Sequence, residues 1–102
     1  MPTKKGVLRG NKISSRHSTV IDAAQPIVRK LKSLPSVSKV VLGAVARVSP
    51  GQKHLKIDEV QSGLRVAVRG STSRQILYVY TQRPSEVRDV LLGVAVQLGF
   101  RE

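Results

Sequence analysis

Residues 53–81, KHLKIDEVQSGLRVAVRGSTSRQILYVYT, predict three β-strands joined by two short turns. The clearest strand is Leu64 to Arg69, in which apolar side chains alternate with polar or small ones. Turn-forming residues flank it at 61–63 (QSG) and at 70–73 (GSTS). Short turns of this kind join neighbouring antiparallel strands, so this stretch predicts an antiparallel sheet with one apolar face.

The flanking sequence adds one more strand and two helices. Residues 37–48 are rich in valine and alternate in polarity, and the turn signal Ser49-Pro-Gly-Gln52 follows them. A helix is predicted from the acidic cap Asp22 to Leu34, and a second from Pro84 to Leu98. The order of elements is therefore α-β-β-β-β-α.

This order predicts an α+β fold, a two-layer sandwich in which both helices cover one face of a four-stranded antiparallel meander. Each helix has a single apolar face, and packing both on one side of the sheet buries both faces. Residues 1–16 predict a flexible basic arm because they carry five cations and no periodic apolar pattern. Residues 17–102 then form a single domain, whose other sheet face is open to solvent.

The net charge of +12 is distributed unevenly along the chain. Residues 1–56 hold twelve lysines and arginines against one acid, whereas residues 57–102 hold six against five acids. A one-sided distribution of charge creates a directed field that attracts polyanions, among which nucleic acid is the first candidate.

Strand alternation predicts which side chains occupy the open face. It places His54, Lys56, Arg65 and Arg69 there. Alternation along residues 37–48 would add Lys39 and Arg47 to the same face. Solvated cations are also common on sheet surfaces, but acids usually accompany them, and Asp58 is the only acid that alternation puts here.

Two arrangements of the last strand remain open. Either Leu77 and Val79 point to the helices, with Tyr78 and Tyr80 among the arginines, or the tyrosines belong to the core or its rim. The first arrangement would suit unpaired bases, which stack on aromatic rings while arginines bind phosphates.

We therefore predict a small nucleic-acid-binding protein of low sequence specificity. RNA is favoured over duplex DNA because neither helix has the features of a groove-reading helix. The candidate binding residues come from the arm, the open face and the last strand; they are Lys4, Lys5, Arg9, Lys12, Arg16, Lys39, Arg47, Lys53, Lys56, Arg65, Arg69, Arg74, Tyr78 and Tyr80.

Three other classes of function have less support in the sequence. A metal site, with zinc as the candidate ion, would rest on His17 and His54, because the chain has no cysteine and no His-rich motif. Oxygen ligands could come from Asp22, Asp58 and Glu59. No catalytic motif is present, so neither an enzyme nor an organic cofactor is predicted. A structural or interaction module for an acidic protein partner is the third alternative.

Some stretches resemble a known family. They are residues 16–24 (RHSTVIDAA), 40–43 (VVLG) and 73–80 (SRQILYVY), and the similarity runs from about residue 10 to residue 97. They are similar to a small prokaryotic family of unknown function whose members are inferred to bind metal. The resemblance implies a metal site near His17, with thiolate ligands in members that have cysteine pairs there. This chain keeps only the histidine of that motif.

The sequence also carries an expectation about location. The basic N-terminus is not followed by the apolar region of a signal peptide, and no stretch approaches the roughly 20 apolar residues of a membrane span. A cytoplasmic protein is therefore expected. Nothing in the sequence indicates its oligomeric state.

Overall fold

The computed structural model describes residues 20–101, and in this range the chain forms two helices and four strands. The elements are α1 (Gln25–Ser33), β1 (Val37–Arg47), β2 (His54–Val60), β3 (Gly63–Arg69), β4 (Ser73–Thr81) and α2 (Pro84–Gln97). The strands form one antiparallel sheet. The α+β class and the order α-β-β-β-β-α are confirmed. The predicted arm, residues 1–16, lies outside the described residues.

The last three strands form the predicted meander. β2 pairs with β3 and β3 with β4, each through a short turn. Gly63 has a φ of +149°, and a Cβ at this position would lie 2.0 Å from the Val79 carbonyl oxygen. Only glycine allows the β2–β3 turn to approach β4 this closely.

The place of β1 differs from the predicted meander. The strand order is β1-β4-β3-β2, so β1 pairs with β4 instead of β2, as in a Greek key. The loop of residues 48–53 crosses the end of the sheet, and Val48 N–H donates to the Thr72 carbonyl at 2.9 Å on its way. Six extended residues reach about 20 Å, which exceeds the roughly 14 Å of three interstrand spacings.

The outer edge of β2 is paired by the end of the chain. Leu55 N–H donates to the Arg101 carbonyl at 2.7 Å, and Arg101 N–H donates to the Lys53 carbonyl at 2.9 Å. Phe100 folds onto the core after Gly99, whose φ of +83° ends α2 in the left-handed conformation. The predicted end of the second helix is confirmed.

The start of α1 differs from the predicted acidic cap at Asp22. Residues 22–24 form a turn, and the helix begins at Gln25 with Ala24 as its cap and no side-chain cap hydrogen bond. Pro26 occupies the first helical turn, where its missing N–H is tolerated. The helix ends before Pro35, as predicted.

Both helices cover one face of the sheet, which confirms the two-layer arrangement. One aliphatic cluster joins helix residues such as Ile27 and Leu91 to strand residues such as Leu64 and Leu77. Gln75 is fully buried beside this cluster, and its Oε1 accepts a hydrogen bond from Ile21 N–H at 3.2 Å. Among residues 20–101, neither helix has the length and hydropathy needed to span a bilayer.

Candidate nucleic-acid interface

The sheet face opposite the helices, called here the open face, is rich in cations. The strand register places five lysines and arginines on it against one carboxylate. Its side chains are Lys39, Val41, Ala46, Arg74, Ile76, Tyr78, Tyr80, Arg65, Ala67, Arg69, His54, Lys56, Asp58 and Val60. The predicted excess of positive charge on this face is therefore present in the folded domain.

Burial decides between the two predicted arrangements of Tyr78 and Tyr80. Leu77 and Val79 are buried against the helices, whereas Tyr78 and Tyr80 are 40% and 39% exposed on the open face. A Cβ on Gly43 would lie 3.2 Å from Cε2 of Tyr78, so the ring of Tyr78 lies close to the bare backbone of β1. Each ring therefore lies partly exposed beside a cross-strand cation, Arg65 for Tyr78 and Lys39 for Tyr80.

The β1–β4 pairing brings Lys39 next to Tyr80. The two residues are cross-strand partners, and Lys39 Nζ lies 5.3 Å from the centroid of the Tyr80 ring. This distance is within the range of a cation–π interaction. The pairing puts a positive charge next to an aromatic surface, which suits the phosphate and the base of one nucleotide.

Two arginines of the open face already have partners. Arg65 Nη1 lies 3.7 Å from Asp58 Oδ2, across β3 and β2. Arg69 donates from Nη2 to the Ser49 carbonyl, and Gly51 leaves room for its guanidinium, since a Cβ there would lie 2.7 Å from Nη2. Arg69 therefore anchors the crossing loop, a role that residue alternation alone does not indicate.

Three cations of the open face, Lys39, Lys56 and Arg74, make no ion pair within residues 20–101. Lys56 and Arg74 are exposed on β2 and β4, at the end of the face away from Tyr80. Lys56 and Arg74 are therefore the cations of the open face that are most available to a phosphate. Lys4, Lys5, Arg9, Lys12 and Arg16 lie outside the described residues.

Two predicted binding residues lie on the other side of the sheet. Between Leu42 and Val45, β1 advances three residues while β4 advances two, which is a β-bulge. The extra residue reverses the alternation, so Arg47 pairs with Ser73 on the helix side, and its expected place on the open face is wrong. Lys53 also points away, with Nζ 5.0 Å from the centroid of the Phe100 ring.

The first helix adds basic charge on the far side of the domain. Arg29, Lys30 and Lys32 are exposed on α1, which lies in the helix layer. Cations therefore occur on both sides of the sheet. The open face differs in carrying two exposed tyrosine rings, each with a cross-strand cation: Lys39 beside Tyr80 and Arg65 beside Tyr78.

The described residues do not fit a metal site. No group of three His, Cys, Asp or Glu side chains in residues 20–101 is arranged to hold an ion. His54 is exposed, and Arg69 is its cross-strand partner, so a cation is repelled there. His17, the other candidate ligand, lies outside the described residues and stays a prediction.

The fold and its open face define a small α+β domain with a basic, tyrosine-bearing sheet surface. A sequence model of the family described as "Predicted metal-binding protein (DUF2103)" matches residues 9–92. The chain therefore belongs to this family, which confirms the resemblance found in the sequence. No curated protein and no solved structure shows significant similarity to the chain.

Proposed function

We propose that this protein binds single-stranded nucleic acid, RNA in preference to duplex DNA, through the open face. The observation that carries the proposal is the pair of exposed tyrosine rings, Tyr78 and Tyr80, within a face of five cations and one carboxylate. Lysine and arginine neutralise phosphates, and tyrosine rings stack on unpaired bases with little regard to sequence. Low sequence specificity follows.

The shape of the face favours a single strand over a duplex. The backbones of the two outer strands are about 14 Å apart, and the side chains make the sheet wider still. The major groove of B-DNA is about 12 Å wide and admits one helix or a two-stranded ribbon. α1 has nine residues, and α2 carries one arginine and two acids, one of which pairs with the cap residue in Arg83–Glu86 at 3.6 Å. Neither helix suits the groove, whereas stacking requires only bases that are already unpaired.

The predicted arm would add affinity without specificity. Residues 1–16 contain five cations and no acid, and charged tails of this kind lie along phosphate backbones. Contacts from the arm and from the three cations without ion pairs predict a steep salt dependence, because each phosphate contact on a single strand contributes about 0.7 to the log–log slope.

The test is fluorescence anisotropy of a labelled ten-nucleotide RNA with the full chain, between 50 and 300 mM KCl (about a six-fold range of ionic strength). We expect a slope of about −2 or steeper and weaker binding to a duplex DNA of the same length. The informative variant is Lys39→Gln/Lys56→Gln/Arg74→Gln, which removes the three cations without ion pairs. Its slope should be shallower by about 2.

The matched control is Arg29→Gln/Lys30→Gln/Lys32→Gln. It removes the same charge from the exposed surface of α1, on the other side of the sheet. We expect it to change the slope by less than half as much. Equal effects of the two triple variants would contradict binding through the open face, and no salt-dependent binding by the unaltered protein would contradict the function.

A further inference from the structure

An uncharged cleft adjoins the tyrosine end of the open face. It lies between the β2–β3 turn and the end of β4, has a volume of about 500 Å³, and is continued by a smaller space of about 170 Å³ against Tyr78. Val60, Gln61, Ser62 and Tyr80 border both spaces. We call this region the turn cleft, and none of its lining side chains is charged.

The polar groups at the rim of the turn cleft are available to a ligand. Gln61, Ser62 and Gln82 are exposed, and none of their side chains takes part in a hydrogen bond within the described part of the chain. Each glutamine amide offers both donors and an acceptor on one plane. These groups can therefore pair with a ligand whose edge carries mixed donors and acceptors.

The backbone beneath these side chains is fixed. Thr81 N–H donates to the Ser62 carbonyl at 3.2 Å, and Ser38 Oγ donates to the Tyr80 carbonyl at 3.1 Å. Gly63 allows the turn to lie directly against β4, which keeps Gln61 beside Tyr80. A site on a fixed frame loses less conformational entropy when it binds a ligand.

A nucleobase matches this chemistry better than a phosphate does. It is flat and uncharged, and its edge carries hydrogen-bond donors and acceptors, whereas a phosphate needs cations that the lining lacks. Resting on the proposed function, we propose that the turn cleft is a base-binding subsite. One base lies against the ring of Tyr80, and Gln61 and Gln82 read its edge.

The subsite also orients the strand on the sheet. Arg74 and Tyr80 lie on the same face of β4, six residues and therefore about 20 Å apart. A single strand with one base in the turn cleft would pass Tyr78 and place later phosphates near Arg74. Base preference and the phosphate contact of Arg74 are then separate properties, located at opposite ends of the open face.

The experiment compares ten-nucleotide oligo-U, oligo-C and oligo-A by anisotropy. We expect the unaltered protein to bind the best of them about tenfold more tightly than the worst, since one well-paired base edge discriminates by about this factor. Gln61→Ala/Gln82→Ala should bring the affinities within about twofold and leave the salt slope unchanged. Arg74→Gln, as the control, should weaken all three and keep their ratio.

Photocrosslinking with 5-iodouridine provides a second measurement. Crosslinks should map to Tyr80 or to residues 60–63. Equal affinities for the three oligonucleotides, or a ratio unaffected by Gln61→Ala/Gln82→Ala, would overturn the subsite while salt-dependent binding kept the proposed function intact. Failure of the proposed function would give a different result: no oligonucleotide would show salt-dependent binding. Both glutamines are exposed, so the double variant should fold normally.

Discussion

The two faces of β4 differ sharply in their exposure to water. On the helix side, Gln75, Leu77 and Val79 are almost completely excluded from water. On the other side, Tyr78 and Tyr80 remain about two-fifths exposed. Because side chains alternate along a strand, one segment supplies both the core and the candidate interface. Substitutions one residue apart should therefore change different properties, stability on one side and ligand binding on the other.

The largest expected effect is on stability, from Leu77→Ala. Leu77 is fully buried, so the substitution leaves a cavity and should lower the free energy of unfolding by about 2–5 kcal/mol. Tyr78→Ala, its neighbour on the open face, should cost about 1 kcal/mol or less. Urea unfolding followed by circular dichroism measures both values. Similar losses from the two variants would show that the faces of β4 are not distinct.

The next effect concerns binding through the rings. Tyr78→Ala/Tyr80→Ala should weaken RNA binding by about 1–3 kcal/mol for each ring, because base stacking is lost. Tyr78→Phe/Tyr80→Phe keeps the rings and should keep most of the affinity. Anisotropy at one fixed salt concentration measures both variants. If the phenylalanine variant binds as weakly as the alanine variant, the hydroxyl groups rather than the rings make the contact.

The smallest effect compares two exposed arginines at one end of the sheet. Arg74 lies on the open face opposite Ala46, and Arg47, the next residue of β1, lies on the helix side. Arg74→Gln should reduce the salt slope by about 0.7, the contribution of one phosphate contact, whereas Arg47→Gln should leave it unchanged. A salt titration of RNA binding measures both. An equal change in both variants would mean that binding depends on total charge alone.

Much of the fold could be predicted because the signals are local. The alternation from Leu64 to Arg69 indicates both the strand and its buried face, and the structure agrees with both. Pro84 and Gly99 mark the two ends of the second helix through their own backbone preferences. The predicted helix start at Asp22 is not observed, because a turn over residues 22–24 delays the helix to Gln25.

The candidate site could be predicted only in part. Alternation correctly placed Lys56, Arg65 and Arg69 on the open face, because β2 and β3 pair without irregularity. It failed for Arg47, since the bulge in β1 becomes visible only once β4 is its partner. The engagement of Arg69 with the Ser49 carbonyl also needs the crossing loop in place. The metal site suggested by the family stays a prediction at His17.

Local patterns in the chain were sufficient for the helices, the strands, the hairpins of β2 to β4 and the basic character of the domain. These depend on backbone preferences and on alternation over a few residues, which operate before distant segments meet. Only the tertiary structure decided three features: the partner of β1, the exposure of Tyr78 and Tyr80, and the turn cleft. They depend on pairing between segments that are distant in the sequence, such as Lys39 with Tyr80. That pairing is selected by the shared burial of Val40 and Leu42 beside Val79 and Leu77, which no local pattern contains.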